Sequence, residues 1–271
     1  MIISVSRRCD IPRFKFDWFL EKLNAGFVDV SNPYNFGQIK RVSLVKDDVD
    51  AFVFWTRDPK HILANADELT QRGFSFYVMV SVTGYPDVLE PNQAPVTEVL
   101  NSMKELSKKI GQDKVIWRYD PIILTDITSD EFHCRNFKKL SNKLSGYVKR
   151  VIISVYDEYP KAAKRLSKLE SEGRLKLLDM NFDDLYGNLL DFKESAIAAN
   201  MEIQSCAEKE DFSSLGIKPG ACIDPALIEK ICGLEIKEKD KYQRPNCLCC
   251  KSADIGAYNT CEARCVYCYA S

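Results

Sequence analysis

Histidine is nearly absent from this chain: only His61 and His133 occur in 271 residues. That scarcity argues against a zinc enzyme of the histidine-rich type. Both histidines lie in polar stretches with a helical pattern and read as surface residues. Net charge is also lacking. Thirty-eight basic residues face thirty-nine acidic ones, which gives no general pull toward nucleic acid or an anionic membrane. No run approaches the roughly 18 apolar residues of a membrane span. The opening MIISVSRRCDIP has too short an apolar run for a secretory leader and no basic segment before it. A cytoplasmic protein is expected. No low-complexity linker, composition break or sequence repeat divides the chain.

Cysteine, by contrast, is abundant. There are eleven, and six of them fall between positions 247 and 268. In a reducing compartment such clustering points to metal binding or redox chemistry rather than to disulfides.

The rest of the chain alternates strand and helix. Near-continuous apolar runs read as buried parallel strands: Ile2–Ser6, Phe27–Val30, Ala51–Trp55, Ser75–Val82, Lys114–Arg118, Val151–Val155, Glu202–Cys206 and Ala253–Tyr258. Helices are expected at Phe16–Asn24, Pro59–Arg72, Val96–Ile110, Asp130–Leu144, Lys161–Glu172, Phe182–Asn200 and Pro225–Cys232. Eight strands alternating with helices fit a (β/α)8 TIM-type barrel over residues 1–271, with 206–271 as its cysteine-rich carboxyl-terminal region. A doubly wound open sheet is the alternative. Polar groups at the strand ends favour the barrel: Ser6–Asp10, Asn32–Tyr34, Trp55–Asp58, Ser81–Tyr85, Arg118–Pro121, Tyr156–Asp157 and Ser205–Glu208.

The last residues read C-E-A-R-C-V-Y-C-Y-A-S. Cys261, Cys265 and Cys268 thus have the spacing C-x3-C-x2-C, which is not the usual zinc pattern. Thiolates are the natural ligands of iron–sulfur clusters. Three of them would leave one iron of a 4Fe-4S cubane free for a small molecule. This spacing, with an aromatic Tyr267 before the third cysteine, resembles the signature of the radical S-adenosylmethionine (SAM) superfamily. The string Cys265–Tyr269 is also similar to the loop of spore photoproduct lyase. The resemblance implies that SAM binds the open iron, that Tyr267 lies against its adenine, and that a 5′-deoxyadenosyl radical acts on a substrate it does not identify. It implies an electron donor such as a flavodoxin or ferredoxin. Over nearly its full length the chain resembles an uncharacterised prokaryotic family with such a cysteine cluster at its carboxyl end. The matching strings are S-R-R-C-D-I-P at 6–12, T-G-Y-P-D-V-L-E-P-N at 83–92, W-R-Y-D-P-I at 117–122, C-A-E at 206–208 and D-I-G-A-Y-N-T-C at 254–261. The sequence departs from the superfamily in two ways. The usual Gly-Gly-Glu segment is missing, and the cluster loop follows the last strand instead of the first. A closed barrel sets its last strand beside its first, so the chain reads as a circularly permuted relative, with residues 254–259 paired to 2–6.

Cys206, Cys222, Cys247 and Cys249 form a second candidate set, for an auxiliary 4Fe-4S cluster or a structural metal; the alternative is buried free thiols. Cys250 is the spare. Cys9 is at the rim, and Cys134 and Cys232 read as core. Arg7 and Arg8, beside Asp10, are candidates to bind the carboxylate of SAM or a phosphate, or to form a salt bridge to Asp10 or Asp120. Arg118, Tyr119 and Asp120 are candidate catalytic residues, with Arg118 and Asp120 on one side by strand alternation. Tyr85 and Tyr156 are further candidates for hydrogen-atom donation or stacking, and Glu208 for a base. Three functions remain open: a radical SAM enzyme, a non-enzymatic iron–sulfur or zinc protein that senses redox state or binds a partner, and a metal-independent barrel enzyme.

Overall fold

The computed structural model describes residues 1–33, 35–179 and 182–271. In chain order the elements are β1 (Ile2–Val5), α1 (Ile11–Phe14), α2 (Phe16–Ala25), β2 (Phe27–Asn32), β3 (Asn35–Ser43), β4 (Ala51–Thr56), α3 (Lys60–Gln71), β5 (Phe76–Ser81), α4 (Val96–Ile110), β6 (Val115–Ile122), α5 (Asp130–Leu144), β7 (Arg150–Val155), α6 (Pro160–Ser171), α7 (Phe182–Ala198), β8 (Glu202–Cys206), β9 (Lys218–Gly220), α8 (Pro225–Cys232) and β10 (Ala253–Asp254). Local signals set many of these bounds. The Ser129 hydroxyl caps α5 by accepting from the Phe132 N–H at 3.4 Å, with Asp130 and Glu131 in the first turn, an arrangement worth about 1 kcal/mol. Gly26, at φ 79°, ends α2 in the left-handed conformation that glycine adopts without penalty.

Eight strands form one parallel sheet in the order β10-β1-β4-β5-β6-β7-β8-β9, surrounded by helices. The carboxyl-terminal strand does lie beside the first, with Ile3 opposite Ala253 and Ser4 opposite Asp254. The pairing is only two residues long; residues 255–258 leave the sheet. No ladder joins β9 to β10 among the described residues. A single backbone bond runs across that gap between the flanking segments, from the Cys250 N–H to the Ile223 carbonyl at 3.0 Å.

One strand assignment is corrected and one strand is added. Phe27–Val30 is a strand but not one of the parallel sheet. It belongs to β2, which forms a separate antiparallel pair with β3. The segment alternates apolar and polar residues, and the Asp29–Arg41 pair, at 2.7 Å, is exposed, so only one face is buried. The Asn32–Tyr34 cluster is therefore not at the sheet's rim, and Tyr34 lies outside the described residues. The vacated place in the sheet goes to β9, whose Lys-Pro-Gly carries no strand signal; proline is tolerated there because β9 is an edge.

Side-chain alternation gives the sheet two buried faces. On one, Ile3, Phe52, Phe54, Val78, Trp117, Tyr119 and Ile153 pack against helix residues such as Phe19, Leu69, Met103, Phe137 and Phe192. Each such side chain contributes about 1.5–3 kcal/mol by leaving water. His133 of α5 is also on this side and is fully buried, which corrects its reading as a surface residue. On the other face, Ala51, Val53, Trp55, Tyr77, Met79 and Ile152 pack against Leu227 and Ile228 of α8 and against Cys206, Cys222, Cys247, Cys249 and Cys250. Among the described residues no helix is long and apolar enough to cross a membrane.

Candidate functional site

The carboxyl ends of the strands and the last eleven residues meet at one place. Its centre is Glu90, which is 4 % exposed. Glu90 accepts from the Thr83 hydroxyl at 2.5 Å, from the Arg57 guanidinium and from the Tyr267 hydroxyl. Arg57 also donates to Thr83 at 2.7 Å. Burial works against the Arg57 charge, but Glu90 more than offsets it and holds the guanidinium firmly protonated. The Arg57 backbone N–H donates to Asp10 at 2.8 Å, and so does that of Arg13 at 3.1 Å. The ends of β1, β4 and β5 are thereby joined to the cysteine loop.

Within that loop each of the three sulfurs accepts a hydrogen bond from an N–H. Asp10 N–H reaches Cys261 at 3.5 Å, the Gln93 amide reaches Cys265 at 3.3 Å, and Ala270 N–H reaches Cys268 at 3.3 Å. The three sulfurs are near enough for their charges to interact. Arg165 of α6 fixes the loop's far side. It donates to the carbonyls of Val266 at 2.8 Å, Ser271 at 2.7 Å and Cys268. Cys9 approaches from β1's end, where its thiol donates to the Thr260 carbonyl at 3.6 Å; its nearness to Cys261 draws Cys261 down to about 6 and raises Cys9. Burial pushes Cys265 up to about 12. Beside the loop opens a cavity of about 380 Å³ lined by Arg13, Phe14, Asn92, Gln93, Glu262 and Arg264.

The other candidates are distributed unevenly. Tyr267 is buried and edge-on to Tyr85, at 6.0 Å between ring centres. Asp10 caps α1, and burial pushes its carboxyl up to about 7. Arg7 and Arg8 diverge. Arg7 does not pair with Asp10 or Asp120 but lies over Trp55, facing Asp240 at 3.6 Å and Asp254 at 3.9 Å. Arg8 stacks on Tyr258 at 5.0 Å. Arg118 and Asp120 do share a side and form an ion pair. Tyr119, between them, points the opposite way, as strand alternation requires. It is buried among the helices, 2.8 Å from His133 Nδ1, and reaches the rim only through Asn136, whose amide donates to both the Tyr119 hydroxyl at 3.3 Å and the Thr83 carbonyl at 2.5 Å. The Tyr85 hydroxyl is engaged by the Pro121 carbonyl at 2.7 Å. Glu208 accepts from the Val155 N–H at 3.1 Å, and burial pushes it up to about 7.

The second cysteine set is brought together on the sheet face opposite the main helices. Cys206 and Cys222 sulfurs are 3.2 Å apart. Cys247 and Cys249 lie close enough for Cys249 to draw the Cys247 thiol down to about 7. The two pairs lie within electrostatic reach of each other and of Arg118 and Arg7. Cys250 is in the same apolar cluster but also faces Asp224 and Asp240. Among the described residues no three His, Cys, Asp or Glu side chains converge on one point as a single bound ion requires.

Sequence reasoning assigned no role to Arg57, Glu90, Gln93 or Arg165. Arg57 and Glu90 stand in strings that were singled out, but nothing local marks them as partners of each other. No curated protein matches the chain. The family model described as Domain of unknown function (DUF1848) matches residues 2–270. The chain therefore belongs to the DUF1848 family.

Proposed function

We propose that Cys261, Cys265 and Cys268 hold one 4Fe-4S cluster and that the chain is a radical SAM-like enzyme acting on a substrate not yet identified. The observation that carries this reading is the donor set. Three neighbouring cysteine sulfurs at the strand-end rim each accept an N–H, and the spacing supplies three ligands rather than four. In this reading the bound cluster, once reduced, supplies an electron that cleaves SAM to methionine and a 5′-deoxyadenosyl radical.

The chain's own residues supply position and shielding. Arg165 and Glu90 hold the loop from its two sides, through its carbonyls and through Tyr267. The apolar cluster of Tyr85, Leu89, Ile123 and Tyr267 excludes water from the loop's inner side. Arg13 and Arg264, at the mouth of the adjacent cavity, suit an acidic electron donor such as a flavodoxin or ferredoxin. The parallel sheet, with its last strand beside its first, fits a permuted (β/α)8 barrel in which the tail spans the gap between β9 and β10.

Cys9 favours a second reading. Its thiol, held against the Thr260 carbonyl next to Cys261, offers a fourth ligand, and four thiolates would close the cluster and make a redox sensor rather than an enzyme. Anaerobic protein separates the two. Iron and sulfide are measured together with equilibrium dialysis of labelled SAM. The enzyme reading expects Cys265→Ala to lose both iron and SAM binding, and Cys9→Ala to keep both. Loss of the cluster in Cys9→Ala, with no SAM bound by the wild type, would replace the enzyme with the sensor.

A further inference from the structure

The sheet has an unexplained seam. β9 and β10 share no ladder, yet the chain from Gly233 to Ser271, with β10 as its one named element, packs into the fold. Structureless segments of this length are uncommon in compact proteins and need something to hold them. What stands at the seam is sulfur. Cys206 ends β8, Cys222 follows β9, and Cys247 and Cys249 precede β10. All four are at most 8 % exposed.

A single buried thiol is ordinary core packing; four gathered from three separate segments at one seam are not. Leucine and isoleucine bury more surface at the same places. The local polar groups are likewise unsuited to plain packing. Ile223 N–H donates to the Cys249 sulfur at 3.2 Å. Arg7 and Arg118 bring positive charge to the thiols. Trp55, 7 % exposed and in the same apolar cluster, has its Nε1 buried with no partner among the described residues, and so has Nε of Arg118, which lies over the Trp55 ring at 4.9 Å. Buried donors of this kind call for an acceptor.

We infer that Cys206, Cys222, Cys247 and Cys249 are the four ligands of one soft-metal centre that ties the β8–β9 edge to the carboxyl-terminal tail. The four sulfurs do not converge on one point as a single ion requires; thiolates spread around a larger centre suit an iron–sulfur cluster, which would carry net negative charge toward Arg7 and Arg118. The centre is structural: its binding free energy is folding free energy for the tail. It stands apart from the rim loop and does not depend on that loop's chemistry.

The test uses full-length protein purified anaerobically, with metals measured by mass spectrometry and sulfide chemically. In the variant Cys261→Ala/Cys265→Ala/Cys268→Ala, the tetrad should still carry its metal as about four irons with matching sulfide. Adding Cys206→Ala or Cys249→Ser to that variant should remove the metal, lower the melting temperature and speed amide exchange in residues 233–256. Adding Cys250→Ala should leave the metal in place. If the tetrad variants fail to fold, stripping the metal from the rim variant with a chelator should produce the same loss of exchange protection, reversed on reloading. A folded, metal-free rim variant would overturn the inference. So would full metal retention after Cys206→Ala, or a Cys206–Cys222 disulfide accounting for the stability without metal. Failure of the rim cluster alone would leave these outcomes unchanged.

Discussion

Glu90→Ala should be among the most damaging single substitutions at the rim. The carboxylate is 4 % exposed and its partner Arg57 12 %, so removing Glu90 leaves a guanidinium buried without its counter-charge. Breaking such a pair costs about 3–5 kcal/mol. Arg57 keeps its hydrogen bond to Thr83 at 2.7 Å, which pulls the figure toward the lower end, whereas the Tyr267 hydroxyl loses its acceptor, worth about 1 kcal/mol more. The net expectation is about 3–4 kcal/mol, a fall of more than a hundredfold in the folding constant. Urea unfolding reads it as a lower midpoint at unchanged slope. The mechanism is isolated by Arg57→Met. The double variant should cost less than the sum of the two singles by about 2 kcal/mol, because the second change removes the orphaned charge. A loss below about 1 kcal/mol for Glu90→Ala, or strict additivity, would refute the reasoning.

Arg165→Gln should leave the midpoint of global unfolding little changed but raise amide exchange in residues 266–271 at least tenfold, since three carbonyls lose a charged donor; unchanged exchange by mass spectrometry would count against the clamp. His133 is pushed down to about 4 by burial, with Nδ1 accepting from Tyr119 and Nε2 donating to the Ile123 carbonyl at 3.1 Å. Its folded value is below the unfolded 6.5, so its contribution, about 3 kcal/mol, is complete above pH 6.5 and is lost as pH falls toward 4. Asp10 and Glu208, both pushed up to about 7, act with the opposite sign over the same window, so the readout is a difference: in denaturation curves the stability of the wild type relative to His133→Gln should rise as pH goes from 4 to 6.5, and a flat difference would refute the assignment. Gly256→Ala sets a Cβ onto the Ser6 side chain, which is hydrogen-bonded to Asp254, and should cost about 1–3 kcal/mol by calorimetry; an unchanged melting temperature would count against the clash.

Local chemistry made much of this fold legible. Val96–Ile110, Asp130–Leu144, Pro225–Cys232 and Glu202–Cys206 coincide with the observed α4, α5, α8 and β8, because caps, prolines and hydrophobic period act within a few residues. What the sequence hid was decided by distant partners. Phe27–Val30 reads as a sheet strand until Arg41 is known to pair with Asp29. Lys218–Gly220 is a strand only because β8 offers it an edge. His133 stands in a polar stretch, yet it is on the inward face of α5, where the Tyr119 hydroxyl and the Ile123 carbonyl satisfy its ring. The same holds at the rim. Cysteine spacing marked the loop, and strand alternation put Arg118 and Asp120 on one side. The salt bridge of Arg7 to Asp10 or Asp120, one of the open options, is not formed, and its actual partners, Asp240 and Asp254, are more than 230 positions away. Glu90 and Arg165 became visible only through their contacts with a loop about 100 or more positions further on.

The central claim is that the last eleven residues support cleavage of SAM. Its most direct test is anaerobic incubation of the reconstituted protein with dithionite and SAM, followed by chromatography for 5′-deoxyadenosine. The account predicts that the wild type forms this product and that Cys261→Ala, Cys265→Ala and Cys268→Ala each form none while remaining folded. A wild type that carries iron and sulfide yet yields no 5′-deoxyadenosine, with or without candidate substrates, would contradict it.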